Sequence, residues 1–183
     1  PDGTKIYVCA SDDSLVRVFD SETYAELPSL PSGPDPELFV LEPNGKRLYI
    51  ANEDDNLVTV TDTETRRVIA EVPVGVEPEG MGLSPDAKFV VNTSETTNMA
   101  HWIDAKAQKI VANTLVDQRP RHAEFTPDGK ELWVSSEIGG TITVFDVESK
   151  EDIAKVSAIF PKELSILHAS VVPEQKDRRL HAV

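Results

Sequence analysis

Apolar and polar or small residues alternate along most of this chain. Runs such as KIYVCA, LVRVFD, RLYIAN, LVTVTD and RVIAEVPV are rich in β-branched and aromatic side chains, the period-2 pattern of half-buried strands. The spacing i, i+3, i+4 of an amphipathic helix is absent. Turn chemistry separates the runs: PDG, PNG and PDA at some corners, acidic EDDN and TETR at others. Proline presets φ at the first corner residue and glycine or asparagine accepts positive φ later. One stretch shows the grammar whole: LYIAN, EDDN, LVTVTD, TETR, RVIAEVPV, a turn region from Gly75 to Gly80, then MGLS. It predicts four short antiparallel strands.

The pattern recurs with a fixed period. PDGTKIYV, PNGKRLYI, PDAKFVVN and PDGKELWV begin at Pro1, Pro43, Pro85 and Pro127, 42 residues apart each time. Asp20, Asp62, Asp104 and Asp146 keep the same period, and so do Pro36, Pro78 and Pro120. A repeat of roughly 40–45 residues with four strands is the mark of a propeller blade. The expected fold is therefore an all-β β-propeller of four-stranded antiparallel blades. The PDG turn should join the innermost strand of a blade to its second strand, so each sequence unit straddles two blades and the first blade opens on its second strand.

The repeat units are 1–42, 43–84, 85–126 and 127–172. After Lys150 the phase slips, the next turn-like proline being Pro173, 46 residues beyond Pro127. LSILHASVV, Leu164 to Val172, is a candidate inner strand that would close a ring of four blades. An open arc of a larger propeller is the preferred expectation. Residues 173–183 are expected to be an atypical or frayed tail.

Charge narrows the classes of partner. With 18 basic and 32 acidic residues the formal charge is −14, which repels nucleic-acid phosphates and anionic membranes. Cationic proteins or metal ions suit it better. No apolar run reaches the roughly 20 residues of a membrane span, and PDGTKIYVCAS lacks the charged start and apolar core of a signal peptide. No membrane insertion is expected. Cys9 is the only cysteine, which excludes an intrachain disulfide and cysteine-based zinc or redox motifs. Ala51, Thr93 and Ser135 stand at its repeat positions, so a small packed side chain is expected there.

Candidate chemistry sits at the proline landmark. The units carry Asp35-Pro36-Glu37, Glu77-Pro78-Glu79 and Arg119-Pro120-Arg121, followed by His122. If these segments are extended, residues two apart share a side, placing a charged pair from each blade at one rim. The turns SDDS, NEDDN, SETTN and SEIGG, beginning at Ser11, Asn52, Ser94 and Ser136, lie on the same face. Two readings follow. In one, Asp35, Glu37, Glu77, Glu79, Arg119, Arg121 and His122 form a binding mouth for a small ligand. Its carboxylates, with Asp12, Asp54 and Asp55, could also hold a divalent cation. In the other, favoured reading the charges are ion pairs between blades, each exposed pair contributing at most about 1 kcal/mol.

SETTNMAHWID, Ser94 to Asp104, departs from its sister units. Thr96, Thr97, Met99, His101 and Trp102 are candidate partner contacts, since Trp and Met are enriched in interfaces. His101 is also a candidate haem or metal ligand. Its repeat partners Arg17, Thr59 and Thr143 read as outward-facing, which favours a plain surface histidine, and Met99 at a strand start reads as blade packing. The repeated Asp20, Asp62, Asp104 and Asp146 are expected to bind turn backbone rather than substrate. No GxSxG, CxxCH, HExxH or P-loop is present, so no catalytic residue and no resident metal or cofactor is assigned.

The units PDGTKIYV, PNGKRLYI and PDGKELWV, with VRVFD, VTVTD, and RVIAEVPVG, resemble the YVTN family of β-propeller repeats. SGPDPELF, NEDDNLVTV, VPVGVEPEGMGLSPD, NTSETTNMAHWID and RPRHAEFTPDGKELWVSSEIGGT resemble a subfamily associated with pyrroloquinoline quinone (PQQ)-dependent alcohol catabolism in Gram-negative bacteria. The resemblance runs from Pro1 to about Asp146. It implies a longer, seven-bladed, periplasmic protein. Its expected role is non-enzymatic, as a binding or accessory partner of a quinoprotein dehydrogenase or cytochrome c. Related propellers imply two alternatives. A lactonase-type hydrolase would use Glu37, Glu79, Arg121 and His122, and a haem-handling propeller would use His101 or His122 as ligand.

Overall fold

The computed structural model describes residues 2–157. They form one three-stranded and three four-stranded antiparallel sheets. The first sheet holds β1 (Lys5–Ala10), β2 (Leu15–Asp20) and β3 (Glu26–Pro31). The second holds β4 (Pro36–Leu41), β5 (Arg47–Asn52), β6 (Leu57–Asp62) and β7 (Arg67–Pro73). β8 (Pro78–Leu83), β9 (Phe89–Ser94), β10 (Met99–Asp104) and β11 (Lys109–Leu115) form the third. β12 (Pro120–Phe125), β13 (Glu131–Ser136), β14 (Thr141–Asp146) and β15 (Asp152–Ser157) form the fourth. Each four-stranded sheet is a simple meander in chain order, so these are four successive blades.

The expected phase holds in the three four-stranded blades, where the turns beginning at Pro43, Pro85 and Pro127 link the innermost strands β4, β8 and β12 to the second strands β5, β9 and β13. The inner strands β4, β8 and β12 adjoin one another in that order. The proposed closing strand Leu164–Val172 and the tail at 173–183 lie outside the described residues.

Three apolar clusters fill the spaces between blades. Val16, Val18 and Leu30 pack on Leu48 and Ile50 between the first and second blades. Tyr49, Ala51, Val58 and Val60 meet Met81, Val90 and Ile103 between the second and third. Strand alternation explains the division: Leu48 and Ile50 face one neighbour, Tyr49 and Ala51 the other. Between the third and fourth blades Trp102, fully buried, stands edge-on to Phe89, Phe125 and Phe145, with ring centroids 6.0, 6.0 and 6.3 Å away. Cys9 is half-buried against the first cluster, and burial pushes its thiol up to about 12, so it is packing rather than nucleophile.

The repeated aspartates do what their repetition predicts. Asp62 Oδ1 accepts from the backbone N–H groups of Glu64 and Thr65 and from the Thr65 hydroxyl. Asp20 and Asp146 make the same turn with Thr23 and Ser149. Asp104 accepts from Ala107 N–H.

Candidate functional site

The proline landmark is not extended. Asp35, Glu77 and Arg119 all take left-handed backbone angles, with φ of 49°, 57° and 58°, and each following strand opens with a register shift against its partner. The expectation of two charges projecting side by side from an extended segment is thereby corrected. A hydrogen-bonded corner replaces it. Asn56 Oδ1 receives the N–H of Glu77 at 3.1 Å, and Asn98 Oδ1 that of Arg119 at 3.0 Å. The carbonyls of Asp35, Glu77 and Arg119 accept the N–H groups of Glu53, Glu95 and Glu137 at 3.0, 2.8 and 2.8 Å.

These backbone bonds bring a second ring of acids, Glu53, Glu95 and Glu137, onto the mouth. Sequence reasoning placed their turns on this face without singling them out. The signal was available, because the three glutamates keep the 42-residue period.

The mouth divides into two sectors. On the third and fourth blades Arg121 lies among carboxylates: its Nη2 is 2.7 Å from Glu79 Oε1, its Nη1 binds Glu95 Oε1, and its Nε is 3.7 Å from Glu137 Oε2. Arg119 Nε reaches Glu95 Oε2 at 2.8 Å and Glu137 Oε2 at 3.4 Å. Glu77 accepts from the Thr96 hydroxyl. On the second blade Asp35, Glu37 and Glu53 bring carboxylate oxygens within 4.8 Å of one another. Among the described residues no Lys, Arg or His nitrogen lies within 4.0 Å of those three carboxylates. Their geometry offers a hard cation three oxygen ligands. Asp12, Asp54 and Asp55 do not join that group.

Burial and mutual repulsion set the protonation of the mouth. Glu79 is only 8% exposed. Burial, and a hydrogen bond shared with Glu95, raise its carboxyl from 4.5 to about 9 despite the Arg121 guanidinium. Glu95 goes the other way: burial opposes its charge, but Glu79, Arg119 and Arg121 outweigh it and hold it below the ordinary carboxylate value. Glu79 therefore keeps the proton and Glu95 the charge. Burial, then the Asp35 charge, raises Glu37, while burial and the charges of Glu37 and Asp35 raise Glu53.

Three candidates stand elsewhere. His122 sits apart from the arginine cluster, its Nε2 3.6 Å from Glu124. His101 is not the outward-facing histidine that the repeat suggested, since it is 5% exposed. Its Nε2 accepts the Gly75 N–H at 2.9 Å and its Nδ1 lies 2.7 Å from Asn113 Oδ1. Both ring nitrogens are thus occupied by protein, in the neutral tautomer with Nδ1–H donating to Asn113. Burial lowers its pKa accordingly. Its repeat partners Thr59 and Thr143 are buried too; only Arg17 is exposed. Trp102, fully buried with its indole N–H on Thr114 Oγ1 at 3.1 Å, is core and not a partner contact. Thr96 is exposed, while Thr97 and Met99 are half-buried.

Four consecutive antiparallel blades with polar corners gathered at one mouth define a β-propeller. The solved hydrazine synthase of Kuenenia stuttgartiensis matches the chain with a TM-score of 0.81 and 26% identity, over 85% of this chain and 46% of that one. The chain thus spans less than half the length of that structural neighbour. No protein-family profile matches it, and no curated protein does.

Proposed function

We propose that this chain is a non-enzymatic β-propeller binding module, an accessory protein of a periplasmic PQQ-dependent alcohol oxidation system that engages a cationic partner at its mouth. The observation that carries the reading is the split mouth. Both arginines are committed to carboxylates, whereas Asp35, Glu37 and Glu53 have no cation within ion-pair distance among the described residues. Like charges gathered without counter-charge raise the local potential and steer oppositely charged partners. The partner class, a quinoprotein dehydrogenase or cytochrome c, comes from the sequence resemblance through SGPDPELF, NEDDNLVTV and NTSETTNMAHWID. Pull-down with a PQQ-dependent alcohol dehydrogenase and a cytochrome c as bait tests it: salt-sensitive capture is expected, and capture of neither at low ionic strength overturns it.

One observation favours a second reading. A carboxyl that keeps its proton at neutral pH beside an arginine, as Glu79 does, is the chemistry of a general acid, which suits a lactonase-type hydrolase. Turnover of sugar lactones that is abolished by Glu79→Gln would establish that reading instead.

A further inference from the structure

One turn of the repeat carries chemistry that its sister turns lack. At the corner between innermost and second strand the third and fourth blades have Asp86 and Asp128. The second blade has Asn44 there, the one asparagine of the chain that precedes a glycine. Asn44 is exposed, as are Asp86 and Asp128, so its exposure belongs to the corner and not to its place in the chain. Gly45 takes a positive φ of 73°, which a residue with a Cβ adopts only at a cost.

What the asparagine holds also differs. Ser84 and Thr126, two residues before the aspartates, donate their hydroxyls to Asp86 Oδ1 and Asp128 Oδ1, each at 2.7 Å. In the second blade donor and acceptor change places: Asn44 Nδ2 donates to Glu42 Oε2 at 3.1 Å. Glu42 is 7% exposed. The Tyr49 hydroxyl lies 3.1 Å from its Oε1, and Arg47 Nη1 lies 3.6 Å from the same oxygen. Tyr49 and Arg47 both reach the Ala105 carbonyl of the third blade, at 3.0 and 3.4 Å. The amide of Asn44 therefore completes a largely buried polar network that joins the second blade to the third.

We propose that Asn44 is a site of spontaneous deamidation whose product loosens the junction between the second and third blades. The Gly45 backbone nitrogen gives its proton to solvent base and bonds to Asn44 Cγ. The Cγ–Nδ2 bond breaks, and Nδ2 leaves with a solvent proton as ammonia. Water then opens the succinimide to aspartate or isoaspartate. Glycine permits the ring because no Cβ obstructs it. The Lys46 N–H, which donates to Asn44 Oδ1 at 2.8 Å, stabilises the negative charge that develops on that oxygen. The Gly45 N–H donates to the Glu42 carbonyl at 2.8 Å, so the turn must open first and the reaction is slow in the folded chain. Afterwards a carboxylate faces Glu42 where a donor stood, and the two charges repel. The site is independent of the mouth and of the function proposed for it.

The test is incubation of the folded chain in mildly alkaline buffer, with peptide mapping by mass spectrometry at intervals, set beside urea unfolding of defined variants. Conversion of amide to acid at Asn44 should far outpace that at Asn113, an exposed asparagine followed by threonine. Asn44→Asp, the stand-in for the product, should lower the ratio of folded to unfolded chain about fivefold to thirtyfold, the worth of a lost hydrogen bond to a charged group. Glu42→Gln/Asn44→Asp returns an amide donor to the pair and should regain most of that loss, measured against Glu42→Gln alone. Three outcomes overturn the proposal: conversion at Asn44 no faster than at Asn113, an Asn44→Asp variant as stable as the parent, or effects of Glu42→Gln and Asn44→Asp that simply add.

Discussion

Arg121 of β12 reaches across a blade boundary to Glu79 of β8, its Nη2 2.7 Å from Glu79 Oε1. Two innermost strands of neighbouring blades are therefore tied by side chains as well as by packing. Because Glu79 keeps its proton, Arg121→Ala removes a charge-assisted hydrogen-bond donor from a neutral buried carboxyl and one of the two arginines that bind the ionised Glu95. It is expected to cost about 1–3 kcal/mol, less than a fully buried pair because the guanidinium is partly solvated. Urea unfolding of Arg121→Ala, Glu79→Gln and the double variant checks it. Additive effects of the two substitutions would mean that the contact contributes nothing to stability.

Glu79 also makes stability depend on pH. Its folded-state pKa is raised from 4.5 to about 9, so its contribution is fully present below 4.5. It is lost progressively as pH rises towards 9, because the unfolded chain gives up the proton while the folded one holds it. Glu79→Gln retains the donor to Glu95 and cannot ionise. Its stability relative to the parent should rise across that window, read from unfolding midpoints at several pH values; a constant difference would place Glu79 in the ionised form.

His101 gives the opposite slope. Its pKa is depressed below 6.5 by burial, so the stability it contributes is present above 6.5 and lost as pH falls through its folded value. His101→Leu removes the acceptor of the Gly75 N–H and should cost about 1–3 kcal/mol at neutral pH, while flattening the acid limb of the profile. With both nitrogens occupied by Gly75 and Asn113, haem titration should give no Soret change that depends on His101.

What the sequence disclosed follows from which interactions are periodic. Fold, blade phase and the role of Asp20, Asp62 and Asp146 were legible because alternation and turn chemistry are local and repeat every 42 residues. The face of His101 was not. Strand alternation says which residues share a side, but not that the Gly75 loop of the neighbouring blade covers it. The mouth was half legible for a related reason. Charge identities at the proline landmark were visible, while the left-handed corner at Asp35, Glu77 and Arg119 is a backbone state that non-glycine residues rarely declare. That corner brings in Glu53, Glu95 and Glu137.

Gly80 marks a close approach of the inner strands β8 and β12. A Cβ there would lie 2.4 Å from Thr93 Oγ1, 2.8 Å from the Arg121 carbonyl and 2.9 Å from His122 Cα. Two of these are backbone atoms of the next blade and cannot rotate away. Gly80→Ala should destabilise by about 1–3 kcal/mol through overpacking, and it should move the amide resonances of Arg121 and His122. A neutral Gly80→Ala variant would show that adjacent blades separate readily.

The acidic sector makes the last prediction. If Asp35, Glu37 and Glu53 guide a cationic partner, their neutralisation as Asp35→Asn/Glu37→Gln/Glu53→Gln should slow association far more than it speeds dissociation, since long-range charge acts mainly on encounter. The parent's association rate should fall steeply with added salt, and the triple variant's should fall less steeply, because the acidic sector facing the partner is gone while the chain as a whole keeps a formal charge of −11 (−14 + 3). The variant should also be at least as stable as the parent: burial and repulsion raise the carboxyls of Glu37 and Glu53, so removing their charge relieves strain in the fold. Stopped-flow or surface-capture kinetics with the cognate cytochrome c or dehydrogenase, set beside unfolding curves, separates the two effects. Unchanged association in a stable triple variant would move the partner surface away from the second blade.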